Sequence, residues 1–251
     1  MDNQPGPAHV AAHETPADVV FVVENSALAS WYRNQIEAAM EAFMSRAPEG
    51  NWYALVTFAR GVEVKADFTR DKQKIVNAYD SAAQSDRSDI STFDAAYRVL
   101  SDTKRMHGRR VVVFIGSGLD RYSARSLGDV QKALEASAVT IYAIGTGALL
   151  RQPYDPYTFP GMRLETMQAR GVLETLAEDS GGKAWFPNSD SGFAEAMSSV
   201  FDDMAAQYRL IYDGQIPADG KLHKLKLEAF AQDESSEYAY KVRVRKGWRA
   251  G

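Results

Sequence analysis

Unbroken apolar runs and helical spacings alternate along most of the chain. Asp18-Val19-Val20-Phe21-Val22-Val23 is a run of mainly β-branched residues, the composition of a strand buried on both faces of a sheet. Behind it Ile36, Ala39, Met40, Phe43, Met44 and Ala47 recur at spacings of three and four, predicting a helix that stops at Pro48-Glu49-Gly50. Trp52 to Ala59 reads as a strand turned at Arg60-Gly61, with Val62 to Phe68 as its hairpin partner. Helices are predicted from about Asp71 to Ala83 and from about Thr92 to Thr103, separated by the polar loop Ser85 to Asp89. The next buried strand, Val111 to Ile115, is opened by Arg109-Arg110 and closed by Gly116-Ser117-Gly118.

A helix from Leu127 to Ser137 and a strand from Thr140 to Ile144 continue the alternation. A long loop is expected from Gly145 to about Leu164, holding Tyr154, Tyr157 and Phe159 among prolines. Such loops either carry function or pack as insertions on their own domain. A helix from Gly171 to Asp179 ends at Gly181-Gly182, followed by a short strand from Lys183 to Phe186 and a helix from Phe193 to Ala205. Strands separated by helices give the α/β class: a mostly parallel, Rossmann-like central sheet flanked by helices, with one antiparallel edge strand.

From Tyr208 the period changes to two. Leu225, Leu227 and Ala229 alternate with polar neighbours, as do Tyr238, Tyr240, Val242 and Val244, predicting a C-terminal β-hairpin turned at Asp233 to Ser236. The organisation expected is a flexible lead-in over 1–16, an α/β domain over 17–207 and a β extension over 208–251 packed on the same domain.

The 251 residues are 45% hydrophobic and 25% charged, which excludes disorder and fibrous repeats. Twenty-nine Lys and Arg against 33 Asp and Glu give a net charge of −4, against the habit of a general nucleic-acid binder. No cysteine is present, so disulfides, thiolate metal sites and thiol nucleophiles are excluded. No apolar run reaches the roughly 20 residues of a membrane helix, and Met1 to Pro7 shows no signal-peptide pattern.

Motif chemistry is sparse. Gly116-Ser117-Gly118 and Gly145-Thr146-Gly147 follow buried strands as phosphate cradles do, yet Arg121 and Leu150 stand where G-x-G-x-x-G needs its last glycine, and no Walker sequence occurs. His9, His13, His107 and His223 are scattered without ligand spacing. Neither Ser26 nor Ser117 lies in a nucleophile elbow. The sharpest charge feature is Lys241, Arg243, Arg245, Lys246 and Arg249; from Lys221 onward eight basic against four acidic residues give 8 − 4 = +4. It reads either as a patch for an acidic partner or as the solvated face of an edge strand, with the second favoured.

The order of these pieces resembles a von Willebrand factor A (VWA) domain, in particular the VWFA-related domain of acidobacterial-type proteins. Asp18 to Ser26 is similar to the first strand and its metal loop. Phe68-Thr69-Arg70-Asp71 resembles F-T-x-D, Phe93-Asp94-Ala95 resembles Y-D-A, and Ile141 to Gly145 resembles V-Y-A-I-G. Leu176 to Gly182 resembles L-A-x-x-T-G-G, Gln207 to Tyr212 resembles Q-Y-x-L-x-Y, and Arg245 to Trp248 resembles R-K-G-Y.

The resemblance implies a metal-ion-dependent adhesion site (MIDAS) that holds Mg²⁺ or Mn²⁺ through D-x-S-x-S, a Thr and a distant Asp, all hard oxygen ligands. Here the positions read Glu24, Ser26, Leu28, Ile90 and Ser117, with Ser91 one residue from the Thr. Two carboxylates have become one, so the site is degenerate and no cofactor or metal is expected. The alternative is a weak or rearranged Mg²⁺ or Mn²⁺ site using Glu24, Ser26, Ser91 or Ser117, to which Asp89 and Asp120 would contribute. Ser30 reads as a helix cap.

No catalytic constellation is present. The function expected is a non-enzymatic protein–protein interaction module whose partner is another protein, with no nucleic acid and no membrane span. Its recognition face lies at the C-terminal ends of the parallel strands. Partner-binding candidates are Glu24, Asn25, Asp89, Asp120, Tyr154 and Tyr157. The rival readings are a metal-dependent adhesion domain with an altered ligand set and a nucleotide-handling enzyme using the glycine loops. The resemblance implies a bacterial, extracytoplasmic location; oligomeric state is not legible.

Overall fold

The computed structural model describes residues 8–11, 16–102, 106, 108–147, 160–212, 219–233, 236–240 and 242–249. The first buried run becomes β2 (Ala17–Glu24), with every residue buried. β1 (Ala8–Ala11) lies before it, inside the stretch expected as a loose lead-in. A turn of 3-10 helix (Ala29–Tyr32) leads into α1 (Arg33–Arg46). β3 (Trp52–Phe58), β4 (Val62–Thr69), α2 (Lys72–Asp80), α3 (Thr92–Ser101) and β5 (Arg109–Gly116) follow. Next come α4 (Leu127–Ser137), β6 (Thr140–Gly145), α5 (Pro160–Asp179), β7 (Lys183–Trp185) and α6 (Ser191–Ala205).

One six-stranded sheet runs β4-β3-β2-β5-β6-β7, parallel except for β4, which pairs antiparallel with β3 at the edge. α1 packs on α6 and α2, whereas α3 packs on α4 and α4 on α5, so helices cover both faces. Phe43 of α1 meets Phe21 of β2 edge-on at 5.4 Å and Phe201 of α6 at 5.8 Å, locking one helical layer to the sheet. Helix starts follow local chemistry. Asp71 of the Phe68–Asp71 turn accepts from the Lys74 amide at the head of α2, and Ser126 with Asp129 forms a reciprocal capping box on α4.

The chain runs from β2 to β3 on one side and returns to β5 on the other, so the strand order switches direction at β2. Ligands of open α/β sheets gather at such a switch, outside the carboxyl ends of the strands. In register, Val23 lies opposite Ile115, which sets Glu24 beside the Gly116-Ser117 turn.

One helix boundary differs from the sequence expectation. α5 begins at Pro160, not Gly171, taking in residues expected as loop. Proline suits the first position of a helix, and a glycine inside a helix held by tertiary packing is tolerated. Of the remaining expected loop, residues 148–159 with Tyr154 and Tyr157 lie outside the described residues.

The extension after Tyr208 contains β8 (Arg209–Tyr212), β9 (Leu222–Lys224), β10 (Ala229–Asp233), β11 (Ser236–Tyr240) and β12 (Gly247–Arg249). β8 pairs antiparallel with β1. The expected hairpin is present as β10–β11, but its ladder stops short of Leu225 and Val242 and resumes as β9–β12. Leu225 and Leu227, expected on a half-buried face, are exposed, although the Leu225 amide donates to Lys246 O at 3.0 Å.

Four residues of the basic stripe pair with the α/β body, while Arg243 and Lys246 also face solvent. Arg243 bonds Asp203 of α6 at 2.6 Å, Lys246 meets Asp179 of α5 at 3.4 Å, and Arg249 meets Glu135 of α4 at 2.8 Å. The Arg245 guanidinium reaches the carbonyl oxygens of Leu134 and Glu135 at 3.1 and 3.3 Å, at the end of α4 where carbonyls lack helical partners. Lys241 lies outside the described residues.

Candidate functional site

Three loops meet above the switch point: residues 24–32 after β2, 81–91 before α3 and 117–126 after β5. Glu24 sits at their junction, 1% exposed. Its Oε1 accepts from the Ser26 hydroxyl at 2.5 Å. Its Oε2 accepts from the Ser117 amide at 2.6 Å and the Ser117 hydroxyl at 2.7 Å. The extra methylene of Glu over Asp carries the carboxylate across to the third loop. Space is available because residue 116 is glycine: a Cβ there would stand 2.9 Å from Glu24 Oε2 and 3.3 Å from the Phe58 ring. Burial pushes the Glu24 carboxyl above its ordinary value, outweighing the bonds from Ser26 and Ser117 that favour its charged form.

The other ligand positions implied by the resemblance are apolar or engaged elsewhere. Leu28 packs against the core and Ile90 is fully buried. Ser91 is buried, and its hydroxyl donates to the Arg60 carbonyl at 3.0 Å. Ser117 donates to Glu24 and accepts from the Leu119 amide at 3.2 Å. Among the described residues, no three acidic or His side chains converge to hold a metal ion. The residues present therefore do not fit the hard-oxygen cage of a divalent cation: one carboxylate remains, and both its oxygens are already bonded.

The loops are sewn together. Asn25 is buried; its backbone amide donates to Phe58 O, its carbonyl accepts from Ser85 and its side chain donates to Ala83 O at 2.5 Å. Ala27 donates to Arg87 O at 3.0 Å. The Ile90 carbonyl accepts from the amides of Arg121 and Tyr122 at 2.9 and 3.1 Å, and the Thr92 hydroxyl bonds Leu119 O. Asp120 Oδ1 accepts from the Phe93 amide at 3.0 Å and the Ser123 hydroxyl at 2.5 Å. Asp89, buried, accepts from Arg87 Nε at 2.8 Å. Ser30 donates to Ala27 O inside the 3-10 turn, while Tyr32 holds the cap position of α1.

One organising residue was missed in the sequence as a site residue. Asp94 of the Phe93-Asp94-Ala95 motif accepts from the amides of Ala124 and Arg125 at 3.0 and 2.9 Å, anchoring the far end of the third loop. Its motif was the available signal. The glycine loops are likewise occupied: the Ser117 amide, which a phosphate would require, is held by Glu24, and the Thr146 amide donates to Gly116 O at 2.9 Å.

A doubly wound sheet with its loop crest at a topological switch defines an α/β domain of open-sheet type. Residues 19–119 match the family model described as von Willebrand factor type A domain, and the fold is VWA-like. Solved structures agree on the fold. Proximal thread matrix protein 1 from the mussel byssus aligns with a TM-score of 0.59 at 16% identity, over 82% of this chain and 51% of that one. A von Willebrand factor type A protein from Catenulispora acidiphila gives 0.55 at 12%, over 82% and 51%. The conserved hypothetical protein BatB from Bacteroides thetaiotaomicron gives 0.53 at 15%, over 76% and 100%. The chain thus spans about half the length of the mussel protein. No curated protein matches the chain in sequence. No described helix is long and apolar enough to cross a membrane.

Proposed function

We propose that this domain is a non-enzymatic protein–protein interaction module whose loop crest works without a metal ion. The observation that carries the reading is the closure of the MIDAS-like position by Glu24, whose two oxygens accept from Ser26 and Ser117. A cation entering there would have to displace these bonds, and it would find one carboxylate where a stable hard-oxygen site needs several ligands. Support for a binding role comes from the family match and from a crest whose buried polar groups bond one another rather than standing ready for proton transfer. The location we propose is extracytoplasmic, in line with structural neighbours that include a byssal thread matrix protein and the PilB minor pilin from Streptococcus sanguinis.

The test is calorimetric titration of Mg²⁺ and Mn²⁺ into EDTA-treated protein beside Glu24→Ala. The expected result is heat of dilution only, in both proteins. Saturable micromolar binding lost in Glu24→Ala would overturn the metal-free reading and establish a rebuilt site.

A further inference from the structure

We propose that Arg60 and Arg87 form a guanidinium pair on the loop crest that takes an aspartate or glutamate side chain of a partner protein. The inference rests on the interaction-module reading and names the chemistry of its partner. Arg60 lies in the turn between β3 and β4, and Arg87 in the loop before α3. Both converge on one carboxylate oxygen: Asp89 Oδ2 is 2.8 Å from Arg87 Nε and 3.9 Å from Arg60 Nη1. The Asp89 side chain is only 13% exposed, whereas those of Arg60 and Arg87 are 65% and 61% exposed. The anchor is sunk and the cations face solvent.

Two unit charges share one buried counter-charge, and only the Nε of Arg87 is within hydrogen-bond distance of it. Among the described residues no other side chain or carbonyl bonds the outward N–H groups of either guanidinium. These groups form planar forks suited to a carboxylate. Each arginine is also fixed at its backbone: Arg60 O accepts from the buried Ser91 hydroxyl, and Arg87 O from the Ala27 amide. The Arg60 guanidinium lies 5.7 Å from the centre of the Tyr122 ring, and that ring is half exposed. Arg87 is held by its bond to Asp89 and Arg60 leans on the Tyr122 ring, so both guanidinium groups have a partner on the crest that lowers the ordering cost of binding.

The surroundings favour one compact acid over a polyanion. Asp86 is exposed in the loop that carries Arg87, Asp120 lies beside Tyr122, and the whole chain carries −4. A single carboxylate entering between the arginines avoids these charges, whereas a nucleic-acid backbone with its repeating phosphates would run against them.

The experiment is an NMR titration of the ¹⁵N-labelled full chain with an N-acetylated, C-amidated Gly-Asp-Gly peptide, which offers one carboxylate. A Gly-Asn-Gly peptide with the same end groups and a thymidine oligonucleotide run alongside, in wild type, Arg60→Gln, Arg87→Gln and the double variant. The expected result is saturable shifts at the Arg87 Nε–H and at the amides of residues 60, 87–89 and 122, absent with the asparagine peptide. Each single variant should weaken binding about tenfold, the loss of one charge-assisted contact. Absence of shifts at the crest, or shifts that survive the double substitution, would overturn the proposal. Tighter binding of the oligonucleotide at the same resonances would overturn the assignment to an acidic protein. Mg²⁺ added to the same samples separates the two readings. Saturable shifts at Glu24, Ser26 and Ser117 would defeat the metal-free module, while a silent Mg²⁺ arm with a silent peptide arm defeats only the arginine pair.

Discussion

Replacing Glu24 tests whether its carboxylate holds the crest together. Glu24→Ala removes the acceptor shared by the Ser26 hydroxyl, the Ser117 hydroxyl and the Ser117 amide. The two hydroxyls can rotate toward other oxygens, but the buried Ser117 amide cannot, and an orphaned buried N–H costs about 1–3 kcal/mol. The lost side chain leaves a gap against Phe58 and Gly116 worth on the order of 1 kcal/mol. The expected destabilisation is therefore about 2–4 kcal/mol, within the range of substitutions that disrupt a buried polar network. Glu24→Gln keeps an oxygen for Ser117 and an N–H for the Ser26 oxygen, so it isolates the charge. Because burial raises the Glu24 carboxyl above its unfolded value near 4.5, the folded protein binds the proton more tightly than the unfolded one. Stability contributed by Glu24 is then full below that unfolded value and falls as pH rises through the folded value. Wild type should gain on Glu24→Gln when acidified from pH 8 toward pH 5. Urea unfolding of the three proteins, followed by tryptophan fluorescence at both pH values, measures each difference. A Glu24→Ala loss below about 1 kcal/mol, or a wild-type advantage over Gln that grows with pH, would refute the reasoning.

Gly116→Ala should destabilise by about 1–3 kcal/mol, because its Cβ would press on the Glu24 carboxylate and the Phe58 ring; combining it with Glu24→Ala should recover part of that loss in a double-mutant cycle. Arg245→Ala removes a largely buried guanidinium from the carbonyl oxygens of Leu134, Glu135 and Gly247, and should free β9 and β12 locally. Hydrogen exchange is expected to speed up across 222–249 while the protection of β2 and β5 stays unchanged. Glu135→Ala breaks only a partly exposed pair with Arg249 and should cost no more than about 1 kcal/mol in thermal or urea unfolding. Its effect should shrink in high salt.

The sheet was legible because its central strands are buried on both faces and so appear as continuous apolar runs, as Val19 to Val23 and Val111 to Ile115 do. The expected helix over about 127–137 coincides with α4, where Ser126 and Asp129 form a capping box that the sequence reading did not use. The start of α5 was not legible, since prolines and aromatics mimic a loop and nothing local reveals the packing that extends the helix. The site was half visible. Serine at position 117 and the extra methylene of Glu24 are both written in the sequence. That Glu24 turns onto Ser117 depends on the register between β2 and β5, which only the folded sheet supplies. The tail arginines show the same limit: their partners Asp203, Asp179 and Glu135 lie 40 to 114 positions away in sequence.

The two crossings between the α/β body and its extensions lie side by side. The Arg109 amide donates to Pro16 O at 3.0 Å, while its guanidinium reaches Met204 O at 2.9 Å and Gln207 at 3.2 Å. Arg109 opens β5, so this junction is at the foot of the sheet, and the paired β1 and β8 continue from it. Arg109 therefore touches both the segment entering β2 and the segment leaving α6, so one side chain couples the two extensions at the end of the sheet remote from the loop crest. The loop crest, with Glu24 buried in it and the arginine pair exposed on it, is at the opposite end of the sheet from this junction.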